Sequence, residues 1–192
     1  VPLEDEEISR ELAASFKRAG MAIYPDTRVE RLTKTDAGVE LIARSSGDKT
    51  ETFRAERVLM AVGRKPLSEG IGLEALSIAT EKGFIKTDAF MRTNVPGVYA
   101  IGDVVPTQAL AHVASAEAVV AVEHMAGVET RPLNYDQVPG CTYCAPEVGS
   151  IGLTEARARE RGYDVVVGKF PFSANGKARI LNQGSGFVKI VA

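Results

Sequence analysis

The segment Thr93-Asn94-Val95-Pro96-Gly97-Val98-Tyr99-Ala100-Ile101-Gly102-Asp103 constrains this chain more than any other. Val98–Ile101 is continuously apolar, the pattern of a strand buried on both faces of a sheet. It ends in Gly102-Asp103, and a helical pattern follows from about Ala109 to Met125. Buried strand, glycine turn and helix in that order point to an α/β architecture, where ligands sit beyond the carboxyl ends of the strands. Gly102, lacking a Cβ, lets a backbone approach such a ligand. Asp103 offers an acceptor-only carboxylate at the strand tip, suited to a sugar or polyol hydroxyl. The free amides and positive dipole end at Ala109-Leu110-Ala111-His112 would face the same crevice and favour an anion. A flavin meets both demands, with hydroxyls on its ribityl chain and a pyrimidine edge that becomes anionic on reduction.

The remaining elements are read from periodicity and turn chemistry. Ile8, Leu12 and Phe16 form one apolar stripe behind Glu4–Glu7, and Gly20 ends that helix. Short strands follow at Met21–Tyr24, Arg28–Thr33, Val39–Arg44, Thr50–Arg54 and Arg57–Val62, parted by Pro25-Asp26, Ala37-Gly38 and Ser46-Gly47-Asp48. The middle three suit an antiparallel meander with one wet face, whereas Val58–Val62 reads as a strand buried on both sides. A loop-rich stretch runs from Gly63 to about Pro96, and Arg131–Tyr135 reads as a linker. A short helix at Glu155–Arg161 lies between Thr154 and Gly162 as caps, with i,i+4 ion pairs on a solvated face. The chain begins at Val1 directly before a helix and closes on Gly186–Ala192, a strand with nothing after it. Both ends lead to the expectation of a piece of something longer.

Composition removes several classes of function. With 192 residues, 45% hydrophobic, the chain has enough for roughly one or two packed domains. A net charge of −2 leaves no electrostatic footprint for nucleic acid. No apolar run approaches the ~18 residues of a membrane span. Two cysteines and two histidines build neither a disulfide framework nor a metal site. The expectation is a soluble, cytoplasmic globular protein with no membrane or nucleic-acid partner.

Over essentially its whole length the chain resembles the pyridine nucleotide–disulfide oxidoreductases, and most closely their dihydrolipoamide dehydrogenase branch. Ala61-Val62-Gly63-Arg64 is similar to the family's Ala-x-Gly-Arg, where the chain leaves the NAD domain for the FAD domain. Thr93–Asp103 is similar to the second FAD motif, and Leu110-Ala111-His112 to the Leu-Ala-His whose amides meet the flavin. Pro146-Glu147-Val148, Ser150–Thr154 and Phe170–Asn175 resemble the opening of the dimer-interface domain. The resemblance implies an α/β fold made of parts of two Rossmann-like FAD/NAD-binding domains and the start of an α+β dimerisation domain. Residues 1–63 would be the C-terminal half of the NAD-binding domain, 64–135 the returning FAD-binding segment, and 136–192 the interface domain. It implies FAD and NAD as cofactors, with Asp103 on the ribityl chain, Ala109, Leu110, Ala111 and His112 at the flavin edge, and Gly63 and Val29 against NAD. It also implies a homodimer that serves the lipoyl domain of a 2-oxoacid dehydrogenase complex, passing electrons from a dihydrolipoyl dithiol through FAD to NAD+.

Catalytic side chains are not expected among these residues. In the family, both nucleotide fingerprints and the Cys-x4-Cys disulfide would precede Val1, and the His-Glu pair would follow Ala192, so the chain alone is expected to be inactive. Two other readings stay open: a non-catalytic remnant acting as a dimerising module, and a piece of a mercuric- or glutathione-type reductase. Cys141-Thr142-Tyr143-Cys144 imitates a redox or zinc motif, but it lacks a helix N-terminus and further ligands and is read as two ordinary, mostly buried thiols. Gly70–Ala75 imitates a dinucleotide fingerprint but follows no strand and is read as a loop. His112 is assigned a backbone role at the helix start, and the Val113–Val122 stripe is read as Ala/Val packing.

Overall fold

The computed structural model describes all 192 residues. The elements in chain order are α1 (Glu6–Arg18), β1 (Thr27–Thr35), β2 (Gly38–Ser45), β3 (Thr50–Ala55), β4 (Thr80–Glu81), β5 (Phe84–Ile85) and α2 (Ala111–Met125). They continue with β6 (Gly140–Thr142), β7 (Val148–Ser150), α3 (Glu155–Glu160), β8 (Val167–Pro171), α4 (Gly176–Ile180) and β9 (Phe187–Val191). The chain divides into two compact units, one of Val1–Val62 with Cys141–Ala192 and one of Gly63–Gly140. No helix is long and apolar enough to cross a membrane.

In the first unit, α1 starts where the Asp5 carboxylate accepts from the Glu7 amide at 3.0 Å. Glu6 and Glu7 complement the dipole at its start, Lys17 and Arg18 at its end, and Gly20 follows the last turn at φ +86°. β1, β2 and β3 form the expected antiparallel meander. Its register is Thr35↔Gly38 at the first hairpin and Leu41↔Phe53 across the second pair, with a shift between Val29 and Arg31 on β1. Central β2 carries the buried Ala43. The closing strand β9 pairs antiparallel with β8, Gly168 facing Ile190. Thr154 caps α3 by accepting from the Arg157 amide, and Arg159 pairs with Glu155 one turn earlier, both as the sequence predicts.

The second unit is built around Leu73, Ile78, Ile85, Ala100 and Val105, with Val95, Val98 and Val104 packed against them. β4 and β5 make one small hairpin. Gly70–Ala75 is loop, as predicted. α2 buries Val113, Glu117, Val120 and Ala121.

Several expectations are corrected. Met21–Tyr24 and Arg57–Val62 are not strands. The Val58–Val62 run is not buried either: Leu59 is 88% exposed and Val62 84%. A strand needs neighbours for its backbone groups, and none of the four sheets includes this run. Val98–Ile101 makes only the isolated bridge Arg92↔Tyr99, although Ala100 lies in the core. α2 begins at Ala111, with Leu110 as its N-cap, so Ala109 lies outside the helix. Cys141 is exposed, Cys144 is half-buried and both are free thiols. The ribbon of β6 and β7 is too small to bury a side chain on each face.

Candidate functional site

The site lies in the second unit, around the turn that carries Asp103. The chain is extended at Ile101 and then tightens into a single turn of 3-10 helix, Gly102–Val104, closed by the Val105 amide donating to the Gly102 carbonyl at 2.9 Å. Gly102 takes φ +72°, a conformation that disfavours any side chain. A Cβ there would also lie 3.3 Å from the Ala114 side chain on α2. Glycine is therefore required by the turn and by the approach of the helix, a reason beyond ligand access.

Asp103 is half-exposed, and its carboxylate faces the Arg64 guanidinium at 3.1 Å. The same guanidinium donates to the Ala109 carbonyl at 2.8 Å. One fork thus ties the strand-tip acid to the residue just ahead of α2. The pairing leaves acceptor capacity on Asp103, since a carboxylate offers about four lone-pair sites.

At the start of α2 the amides are divided. Leu110 donates to the Gln108 carbonyl at 2.8 Å, so its amide is engaged. Leu110 offers no side-chain cap, and the amides of Ala111 and His112, in the first turn, lie beyond the reach of intrahelical carbonyls. The structure therefore assembles Asp103, Arg64, Ala109, Ala111 and His112 about one helix start, with Leu110 present through its cap position alone. The His112 ring donates from Nε2 to the Pro139 carbonyl at 2.9 Å, which anchors the side chain while the backbone stays at the helix start.

Beneath the turn lies Glu117, fully buried on α2. One carboxylate oxygen accepts from the Gly102 amide at 2.7 Å. The other accepts from the Thr107 hydroxyl at 2.7 Å and the Tyr135 hydroxyl at 2.8 Å. Burial and the facing Glu117 carboxylate push the Tyr135 phenol well above its ordinary range. In the sequence Glu117 falls within the Val113–Val122 stripe expected to pack through Ala and Val. The available signal is its spacing, because Val113, Glu117 and Ala121 fall at i, i+4 and i+8 and a charge in that row must be buried. A second polar contact in this unit joins the Tyr99 hydroxyl to His124 Nδ1 at 2.8 Å, with Phe90 against the same ring.

The two residues assigned to NAD lie in different units. Val29 is 52% exposed at the register shift of β1 in the first unit. Gly63, the first residue of the second unit, has φ +107° and open space where a Cβ would be. No group of three His, Cys, Asp or Glu side chains is placed to hold a metal ion.

The chain is similar to known proteins along its length. Residues 1–118 match the family model described as pyridine nucleotide-disulphide oxidoreductase, and residues 138–192 match that family's dimerisation domain. The chain is 44% identical over 194 aligned residues to dihydrolipoyl dehydrogenase of Bacillus subtilis, covering 100% of this chain and 41% of that protein. Dihydrolipoyl dehydrogenase of Mycobacterium leprae is 45% identical with the same coverage. Among solved structures, LpdA from Mycobacterium tuberculosis superposes with a TM-score of 0.86 at 26% identity, over 98% of this chain and 40% of that one. The HOCl-induced flavoprotein disulfide reductase RclA from Escherichia coli gives 0.87 at 25% identity, over 100% and 43%. The chain thus spans about 41% of the length of the curated relatives it matches.

Proposed function

Because this chain belongs to the pyridine nucleotide–disulphide oxidoreductase family, we propose that it is the central part of a dihydrolipoyl dehydrogenase that binds FAD and NAD. The observation that carries this reading is the Asp103 turn set beside the start of α2, with Arg64 joining the two. Residues 1–63 then belong to the NAD-binding domain, 64–135 to the FAD-binding domain and 136–192 to the interface domain. The dimerisation-domain match supports pairing with a second copy through the last of these. A lipoyl domain of a 2-oxoacid dehydrogenase complex is the protein substrate that this activity implies.

The residues present fit a flavin. Asp103 accepts from hydroxyls of a polyol chain, and its pairing with Arg64 orients the carboxylate. Ala111 and His112 leave free amides at the start of α2, where a helix N-terminus favours negative charge on a bound ring edge. Arg64 adds a positive charge beside them. Flavin, when bound, supplies the two-electron relay between a dithiol and a nicotinamide, and the chain's own work is binding, orientation and charge balance. Gly63, with open space beside it, admits the nicotinamide nucleotide through its backbone, and Val29 presents backbone at a bulge where strand pairing is already interrupted. The relatives' names favour a dihydrolipoyl substrate over a mercuric or glutathione one.

Turnover of the full-length protein tests the reading. It should oxidise dihydrolipoamide with NAD+, and Asp103→Ala should lower that rate about tenfold or more at limiting FAD, with partial recovery on adding FAD. A full-length protein that reduces a different disulfide and leaves dihydrolipoamide untouched would overturn the substrate. An Asp103→Ala variant indifferent to FAD would overturn the site.

A further inference from the structure

Glu117 is a charged residue with no exposed surface, and every partner it has is a donor. Burying a carboxylate is costly unless hydrogen bonds satisfy it. Here a backbone amide and two hydroxyls do so, and they come from three segments: the Gly102–Val104 turn, the loop before α2 at Thr107, and the short helical turn at Tyr135–Gln137. The Gly102 bond matters most for the site. It holds the amide of the residue directly before Asp103, a glycine free to take many conformations, at φ +72°. The exposed Arg64 holds Asp103 from the solvent side, and Glu117 holds the same turn from beneath.

We propose that Glu117 is a positioning residue for the cofactor: through the Gly102 amide it fixes the turn that aims Asp103. The proposal rests on the flavin reading given above. Glu117 has no exposed surface of its own, and its bond to the Gly102 amide makes the Asp103 turn the route by which it acts on binding. That route separates it from a residue that merely stabilises the fold, whose loss would weaken binding whether or not Asp103 were present. The bond to Gly102 is charge-assisted, about twice the strength of a neutral one. Glutamine keeps an acceptor for the amide without the charge, and methionine of similar length removes the acceptor.

A double-mutant cycle on the full-length protein tests this, with the apoprotein titrated with FAD and its melting temperature measured separately. Asp103→Ala should raise the Kd for FAD about tenfold. Glu117→Gln should raise it about threefold and Glu117→Met about tenfold, and the visible circular dichroism of the bound flavin should change with them. In the Asp103→Ala background both Glu117 substitutions should cost less than about twofold. Equal losses in the two backgrounds, or no loss from either substitution in folded protein, would overturn the proposal and leave Glu117 a structural residue. If Glu117→Met yields no folded apoprotein, the Glu117→Gln arm decides by the same comparison. If Asp103→Ala leaves FAD affinity unchanged, the flavin reading fails and the proposal with it, an outcome distinguishable from failure of the Glu117 route alone.

Discussion

Lys189, on β9, lies among the carboxylates of Asp5, Glu7 and Glu155 at 2.8–3.0 Å, with only 6% of its side chain exposed. Burial alone would raise the Asp5 pKa, but the Lys189 hydrogen bond and the amides of Glu7 and Glu155 outweigh it and hold the acid below its ordinary value. Lys169 and then Lys189 hold Glu7 down to about 2, against an ordinary 4.5. Lys189 and Arg159 lower Glu155 in the same direction. Acids depressed on folding bind fewer protons than in the unfolded chain, so their stabilisation is complete above about pH 4.5 and is lost as the pH falls toward 2. Lys189 is itself raised by these acids against the opposing effect of burial, so its contribution persists below 10.5 and is lost only in stronger alkali. Lys189→Met should therefore lower the melting temperature by several degrees near neutrality, since it leaves three carboxylates facing one another. Its melting curve against pH should also be flatter than the parent's below pH 4.5; parallel curves would contradict the assignment. Alternation along Phe187–Val191 makes Lys189 share a face with Phe187 and Val191, but it does not reveal the acids, which come from α1 and α3 across long stretches of sequence. Glu117 is hard to read for a related reason: it lies within an Ala/Val stripe, its spacing from Val113 and Ala121 marks it as buried, and nothing nearby in the sequence names its partners.

At the level of elements, the parts legible in the sequence are those that close locally. The β1–β2–β3 meander is joined by short turns, and each strand lies within about two residues of its predicted bounds, ordinary for element ends. The helices α1 and α3 were marked by their caps, and α2 by its pattern to within one or two residues. Val58–Val62 and Val98–Ile101 could not be placed the same way. An apolar run says that a segment is suited to a buried strand, but pairing depends on partners the run does not encode. Gly38 shows how tightly the local pieces are built. It sits at φ +130° where β1 turns into β2, and a Cβ would collide with the Ala55 carbonyl on β3. Gly38→Ala should lower unfolding free energy by about 2 kcal/mol. Gly47→Ala, in the next turn and with open space around it, should change it by less than about 0.5 kcal/mol. Denaturant midpoints check the pair, and equal shifts would show that the meander tolerates a side chain at Gly38.

On the scale of the molecule, the chain carries more exposed apolar surface than its own units cover. Leu59, Met60 and Val62 lie open in one unit, and Val119 and Val122 of α2 in the other. Exposed apolar residues in such number are suited to meeting other protein. They accord with a chain that spans about 41% of its curated relatives. The family was legible from the Thr93–Asp103 string and the Leu110–His112 helix start, because each is a contiguous run that can be recognised without knowing what packs against it. The count of flavin released on denaturing the purified full-length protein tests the central claim most directly. The account predicts about one flavin per chain in the parent protein and well under half of that after Asp103→Ala. A full-length protein that carries no flavin, and takes up none when FAD is supplied, would contradict it.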